Sequence, residues 1–200
     1  SGGIAVRLVR LNLADIESVG AIGALLASEL PRLDVLVHNA SVYEPTPLES
    51  LTPERTNEAF RVNALAPLML TQKLAPRLAQ STLEGGGSVV AMGDIHAMGH
   101  PRKNHAAYAM SKAALIEMVR SLARDLAPQV RVNAIAPGVV AWPEEGPESD
   151  ELKQRAYLQR VPLARAGEPE DAAEAVRWLA LEARYVTGQI IRVDGGRSIG

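Results

Sequence analysis

Short apolar runs alternate with longer amphipathic stretches along the whole chain, and this alternation constrains the fold more than any other feature. The apolar runs lie at 35–37, 88–92, 130–135 and 189–193. They lack a strict polar–apolar alternation, which is typical of strands buried on both faces in a parallel sheet. Helical patterns at about 15–30, 52–80, 106–127 and 169–182 separate them. The order predicts an α/β fold, a parallel sheet with helices on both sides.

Length and charge bound the classes of function. The 200 residues suit a single domain, and 21 basic against 23 acidic side chains give a net charge of -2 without a basic run. This balance argues against nucleic-acid and anionic-membrane partners. The chain has no cysteine, which excludes disulfides and thiolate sites, and no apolar run of the length of a membrane helix. These features favour a cytoplasmic protein.

The histidines suggest no metal site. His38, His96, His100 and His105 have no second ligand at a metal-binding spacing. We therefore interpret all four as structural or solvent-facing.

Tyr108 and Lys112 lie four residues apart in a helical stretch. This spacing places the phenol and the ammonium on one helix face. A nearby cation favours a phenolate, so the pair predicts a lowered pKa for Tyr108 and a role in proton transfer. Tyrosine and lysine also occur at this spacing by chance on many helices.

Polar turns follow two of the predicted strands. Asn39, Ala40 and Ser41 come just after the strand at 35–37, and Pro137 and Gly138 come just after the strand at 130–135. The carboxyl ends of strands are where α/β sheets bind ligands. Both segments are equally compatible with ordinary turns.

Asn63 lies inside the helical stretch 52–80, four residues before Pro67. Because proline has no N–H, the carbonyl of Asn63 loses its helical partner, and the helix is expected to kink. The kink could hold a water molecule for a proton path, or it could only fit the helix around the sheet.

In combination and in order, these motifs resemble the short-chain dehydrogenase/reductase family over about 11–198. The resemblance implies a Rossmann-like doubly wound sheet, the cofactor NADP(H), and a proton relay. In the relay Tyr108 is the acid, Lys112 binds the nicotinamide ribose and tunes Tyr108, and Asn63 holds a water. The residues implied at the cofactor are Asn12, Leu13, Asn39, Ala40, Ser41, Tyr108, Lys112, Pro137, Gly138 and Val140.

One departure from the family pattern concerns the substrate. Where the family usually has a serine after the strand that precedes the tyrosine, this chain has Asp94. A carboxylate repels a developing alkoxide but suits a nitrogen heterocycle. Asp94 and the segment around Tyr43 are similar to pteridine reductases and dihydromonapterin reductases. The similarity implies NADPH-dependent reduction of a pterin or dihydrofolate, with the proton supplied by Tyr108 or by a water on Asp94.

The same similarity implies the substrate contacts. Tyr43 would cover the flat ring, and the implied set is Ser41, Tyr43, Asp94, Tyr108 and Trp142. Tyr43 as an exposed loop residue, and Trp142 packed beneath a mobile 142–150 loop, are the alternatives.

Two rival functions remain open at this point. One is a generic carbonyl reductase of the same family, acting for example on 3-oxoacyl thioesters, against which Asp94 and Tyr43 argue. The other is a non-catalytic dinucleotide-binding module, against which Asn63, Tyr108 and Lys112 argue.

A second departure is that no glycine-rich loop between a strand and a helix is present for a pyrophosphate. We interpret about 5–11 as the family's third strand and the sequence as an N-terminally truncated form of a longer protein. The missing central strand would leave unpaired inner edges in the sheet. The apolar faces of 52–80 and 106–127 exceed what one sheet face covers, and the family commonly pairs these helices, so we expect a homotetramer.

Overall fold

The fold is built on four parallel strands. The structure is a computed structural model that describes residues 5–142, 144 and 149–199. The strands are β1 (Val35–His38), β2 (Gly87–Met92), β3 (Val130–Pro137) and β4 (Ile190–Val193), paired in the order β1-β2-β3-β4. The predicted α/β class with a doubly wound parallel sheet is confirmed.

Helices cover both faces of the sheet. They are α1 (Ile16–Glu29), α2 (Pro53–Phe60), α3 (Ala66–Leu78), α4 (Ala106–Asp125), α5 (Glu151–Leu158) and α6 (Pro169–Leu181). One apolar core joins α3 and α4 to a sheet face that includes Val89 and Val132. A second core joins α6 to the opposite face, through Val90 and Ile135. Successive strand residues thus enter opposite cores, as expected for a two-sided sheet.

The parallel order places all four strand ends at one edge of the sheet. The register pairs Val37 with Val90 and Val90 with Asn133, and it pairs Pro137 with Val193. The segments that leave β1, β2 and β3 therefore meet at this carboxyl edge. They carry most of the predicted site residues.

The predicted helix 52–80 is interrupted just before Pro67. Between α2 and α3, residues Arg61–Leu65 form a π-helical segment, in which the Ala66 N–H reaches back five residues to the Arg61 carbonyl. A proline without an N–H accounts for the break, because the regular four-residue bond to Asn63 cannot form. The kink predicted at Asn63 is confirmed.

A hydrogen-bond chain holds the end of β1 against α3. The Thr71 hydroxyl donates to the Pro67 carbonyl at 2.8 Å, so it accepts from Nε2 of buried His38, also at 2.8 Å. Burial lowers the pKa of His38 to about 4, so this imidazole stays neutral.

The strand predicted at 5–11 is wrong. Residues 5–12 are mostly exposed and form no strand. A strand needs a neighbour for its backbone N–H and C=O groups, and no described strand lies beside this segment. The four strands are contiguous, and the unpaired edge that we expected runs along β1, where Val37 is 42% exposed.

The expectation that all four strands are buried on both faces is wrong for the two edge strands. β2 and β3 are buried almost throughout, whereas β1 and β4 are half-exposed. Each outer strand has a described partner on only one side, which leaves part of its surface open.

Helix α5 was not predicted. Its signal is Asp150, whose carboxylate accepts hydrogen bonds from the Leu152 and Lys153 N–H groups as an N-cap. Most of the predicted mobile loop before it, residues 143 and 145–148, lies outside the described residues. In the described part of the chain, no helix combines the length and apolar character needed to span a bilayer.

Candidate active site

Helix α4 brings Tyr108 and Lys112 to the carboxyl edge of the sheet. Their side chains are 7% and 3% exposed. The Lys112 ammonium donates to the Met92 carbonyl at 2.7 Å, at the end of β2. It lies 5.9 Å from the centre of the Tyr108 ring. The predicted pair is thus buried together, with the lysine held by a strand end.

Asp94 is the hydrogen-bond partner of the Tyr108 hydroxyl. It follows β2 and caps the short helical turn Ile95–Ala97, where its Oδ1 accepts from the His96 N–H at 2.7 Å. Its Oδ2 accepts from the Tyr108 hydroxyl, also at 2.7 Å. The backbone cap fixes the carboxylate, so its second oxygen faces the phenol.

The predicted lowering of the Tyr108 pKa is wrong in this structure. Burial and the Asp94 carboxylate raise the pKa of Tyr108 well above its ordinary value. Both oppose a phenolate, because a buried anion loses water and a neighbouring anion repels it. Lys112 does not reverse this, since its ammonium is directed to Met92. Tyr108 is therefore held as a neutral phenol that can give a proton.

Burial also changes the pKa of Lys112. Loss of water lowers its pKa to about 8, against the attraction of Asp94, which raises it. The ammonium remains protonated at neutral pH. A lysine has three N–H donors, and the Met92 contact uses one of them.

The side chain of Asn63 forms hydrogen bonds with the loop after β1 and with helix α4. Its Oδ1 accepts from the Val42 N–H at 2.9 Å, and its Nδ2 donates to the Val42 carbonyl at 3.0 Å and to the Ser111 hydroxyl at 2.9 Å. Ser111 in turn donates to the Tyr108 carbonyl at 2.7 Å. Asn63 thus ties the loop after β1 to the start of α4, and its part in holding a relay water stays a prediction.

Tyr43 packs directly on the catalytic candidates. Its ring meets the Tyr108 ring edge-on at 4.8 Å and stacks on His105 at 4.9 Å. Its hydroxyl accepts a hydrogen bond from Arg102 at 2.6 Å. The side chain is 40% exposed, which leaves an aromatic surface at the site.

A cavity of about 230 Å³ opens between these groups and the segment after β3. His96, Arg102, Val139 and Ala141 line it together with six predicted residues: Tyr43, Asp94, Tyr108, Pro137, Gly138 and Val140. Some of the predicted catalytic, substrate and cofactor residues therefore share one space.

Two predicted substrate residues are not among the lining of this cavity. Trp142 packs edge-on against Tyr157 of α5, with 5.5 Å between ring centres. Ser41 is exposed, and its hydroxyl donates to the neighbouring Val42 carbonyl. Trp142 thus packs on α5, and its place beneath the 142–150 loop stays a prediction because most of that loop lies outside the described residues.

Four other predicted cofactor residues lie away from this cavity. Leu13, Asn39 and Ala40 line a second cavity of about 180 Å³ beside α3. The Asn12 side chain is directed elsewhere, because its Oδ1 accepts from the Ala14 N–H at 3.1 Å and closes a local turn. Asn12 is therefore a turn residue in this structure.

Sequence reasoning missed Ser111 and Arg102. Ser111 lies inside the Tyr–Lys stretch, three residues after Tyr108 on the same helix face, so the spacing itself could have indicated it. Arg102 lies in a segment with several basic residues and no acidic one, a charge asymmetry that was visible in the sequence.

Comparisons with known proteins support what the geometry suggests. A family model described as enoyl-(acyl carrier protein) reductase matches residues 1–198. A solved Brucella melitensis short-chain dehydrogenase/reductase superposes with a TM-score of 0.80 at 25% identity, over 94% of this chain and 74% of that one. The chain belongs to the short-chain dehydrogenase/reductase family. This assignment makes it an oxidoreductase and confirms the predicted family.

Two further relatives bear on cofactor and substrate. The 3-oxoacyl-[acyl-carrier-protein] reductase FabG of Thermotoga maritima is 33% identical over 192 residues, covering 93% of this chain and 74% of the relative. A solved Beutenbergia cavernae structure, described as an NAD(P)-dependent gluconate 5-dehydrogenase with NADP bound at low occupancy, has a TM-score of 0.86. It is 33% identical, over 96% of this chain and 76% of that one. Neither relative is named for a pterin substrate, so the pteridine subtype stays a prediction.

Proposed function

We propose that this short-chain dehydrogenase/reductase is an NADPH-dependent reductase of a carbon–nitrogen double bond in a pterin or dihydrofolate ring. The observation that carries the proposal is the 2.7 Å hydrogen bond from the Tyr108 hydroxyl to the Asp94 carboxylate.

The charge of Asp94 is the physical reason. Reduction of a ketone places negative charge on oxygen beside the proton donor. Two like charges about 4 Å apart cost about 4 kcal/mol at an effective dielectric constant of about 20. A ring nitrogen that takes up a proton becomes positive instead, and the same carboxylate stabilises it.

The described residues fit parts of a dinucleotide. The cavity at Leu13, Asn39 and Ala40 suits an adenine end, and Lys112 offers ammonium donors to ribose hydroxyls. The NADP bound in the Beutenbergia cavernae relative supports the same cofactor here. When bound, NADPH would supply the hydride.

The chain's own groups would handle the proton. The ring carbon gains a hydride, the adjacent nitrogen gains a proton, and the double bond between them becomes single. Tyr108, kept protonated by burial and by Asp94, would give that proton or pass it from a water on Asp94. Tyr43 would cover one ring face.

A second candidate is a reductase of 3-oxoacyl thioesters. The relatives support it more directly than they support the first, since the Thermotoga maritima protein is named for that reaction. With a carbonyl substrate, Asp94 would have to carry a proton and donate a hydrogen bond to the carbonyl oxygen, as a serine would.

Replacing Asp94 by serine separates the two candidates. For pterin reduction we expect kcat/KM with dihydrobiopterin to fall about a hundredfold, because the charge partner of the ring nitrogen is lost. Reduction of acetoacetyl-CoA should be unchanged or faster. The measurement is NADPH oxidation with each substrate, and Glu182→Gln, an exposed carboxylate at the far end of α6, is the control. A wild-type protein that reduces only acetoacetyl-CoA would favour the second candidate.

We also propose that the protein is a homotetramer. Leu65, Leu68 and Met110 are exposed on the stretches that we expect to pair between subunits. Light scattering should give four times the chain mass, and Leu68→Asp should lower that mass, whereas Leu25→Asp on α1 should not. A monomer at micromolar concentration would contradict the proposal.

A further inference from the structure

The positively charged side chain of Arg102 lines the same cavity as Asp94. Arg102 lines the 230 Å³ space with Tyr43, Asp94 and Tyr108, and it is half-buried there. Its charge acts on the site, since Arg102 lowers the pKa of Tyr108 against the raising effects of burial and Asp94. The cavity therefore has a negative and a positive group on its wall.

The guanidinium is held in place by Tyr43. It donates to the Tyr43 hydroxyl at 2.6 Å and lies 5.9 Å from the ring centre. A planar guanidinium presents pairs of N–H donors that match the two oxygens of a carboxylate or phosphate. The contact with Tyr43 orients this fork next to the aromatic surface that we expect to cover the substrate ring.

The surrounding sequence reinforces the positive potential. Residues 95–116 contain no aspartate or glutamate, although the chain as a whole has a net charge of -2. The same segment contains two arginine or lysine residues close together, Arg102 and Lys103, and three histidines. Positive charges close to a cleft attract anions to it.

We propose that Arg102 binds an anionic group, a carboxylate or a phosphate, on the side chain of the substrate. The inference rests on the proposed pterin reductase function and narrows its substrate class. Asp94 would engage the nitrogen-containing ring, and Arg102 would engage the anion at the other end. The two opposite charges would then fix the orientation of the ring between them.

Matched substrates test the proposal. Dihydroneopterin and its monophosphate differ only in the phosphate, and dihydrofolate supplies carboxylates instead. We expect the wild-type kcat/KM to be at least about tenfold higher for the anionic substrates, since a hydrogen bond to a charged group contributes this much or more. The preference should shrink between about 0.05 M and about 0.5 M salt. A preference for only one of the two anions identifies which group Arg102 recognises.

Variants of Arg102 and Lys103 test whether the preference for anionic substrates comes from Arg102. Arg102→Gln keeps a donor for the Tyr43 hydroxyl but removes the charge, so it should abolish the preference for the anionic substrates over dihydroneopterin. Arg102→Lys should restore part of it. Lys103→Gln removes a neighbouring exposed cation that does not line the cavity, and it should leave the preference intact.

Three results would overturn the inference. Equal wild-type kcat/KM for neutral and anionic pterins would do so while leaving the proposed function standing. A uniform loss on all substrates in Arg102→Gln would make Arg102 a positioning residue for Tyr43. No turnover of any pterin would overturn the proposed function and this inference with it.

Discussion

Replacing Tyr108 with phenylalanine is expected to lower kcat about a thousandfold. The substitution removes the hydroxyl that donates to Asp94 at 2.7 Å and leaves the buried ring in place. A positioned general acid contributes about a hundredfold to ten-thousandfold to a rate. The check is the steady-state rate of NADPH oxidation, together with NADPH affinity measured by fluorescence titration.

The control for this substitution is Tyr185→Phe. Tyr185 is fully exposed and lies after α6, so the loss of its hydroxyl should change neither quantity. NADPH affinity should fall far less than kcat in Tyr108→Phe, because the ammonium of Lys112, the other proposed cofactor residue on α4, is kept. If Tyr108→Phe retained more than about half of the wild-type kcat, the assignment of Tyr108 as proton donor would be wrong.

Replacing Arg131 with methionine is expected to cost about 3–5 kcal/mol of the free energy of unfolding. The side chain is 6% exposed, and its guanidinium donates to the carbonyls of Gly85, Leu179, Ala180 and Ala183. Three of these carbonyls lie at or just beyond the C-terminal end of α6, where a cation also complements the helix dipole. Methionine fills the volume but leaves buried acceptors without a donor.

Urea denaturation followed by circular dichroism measures this effect. A loss of that size should lower the melting temperature by about 10 °C in a domain of this length. Arg177→Met is the matched control, because Arg177 lies on α6, which Arg131 contacts, but is exposed and paired with Glu182. We expect it to cost less than about 1 kcal/mol. A similar small cost for Arg131→Met would show that its four hydrogen bonds add no net stability.

The buried charge of Arg131 is stabilised by backbone carbonyls. Burial lowers its pKa from the ordinary value, and its hydrogen-bond partners among the described residues are backbone carbonyls. Three of these carbonyls lie at the negative end of α6, where they stabilise the positive charge of the guanidinium. The residue therefore belongs to the packing of α6 on β3 and is remote from the carboxyl edge.

Asp94 is the residue on which the substrate assignment depends. The family match makes the chain an oxidoreductase, and the Thermotoga maritima relative is named for the reduction of a 3-oxoacyl group, which is a carbonyl. The carboxylate on the Tyr108 hydroxyl favours nitrogen instead. Because these two arguments come from independent observations, the Asp94→Ser experiment decides between them.

The sequence by itself determined the features that depend on short spacings. Strand and helix order follows from hydrophobic periodicity, which is local. The break near Asn63 follows from Pro67 having no N–H, and the common helix face of Tyr108 and Lys112 follows from their separation by four residues. The order of the four described strands, the break near Asn63 and the shared helix face were predicted correctly, because the physical cause lies within one turn or one element. The strand at 5–11 was wrong, and α5 was not predicted.

Only the tertiary structure decided where the polar atoms point. The pKa of Tyr108 is raised rather than lowered because Asp94, fourteen residues away, meets the hydroxyl, while Lys112 is drawn to a strand carbonyl. The side-chain amide of Asn63 likewise forms hydrogen bonds with Val42 and Ser111, because the fold brings these two residues next to it. The segment at 5–12 has strand-like residues but no neighbouring strand. Hydrogen bonds, burial and strand pairing depend on what the rest of the chain brings alongside, and spacing within the sequence does not contain that information.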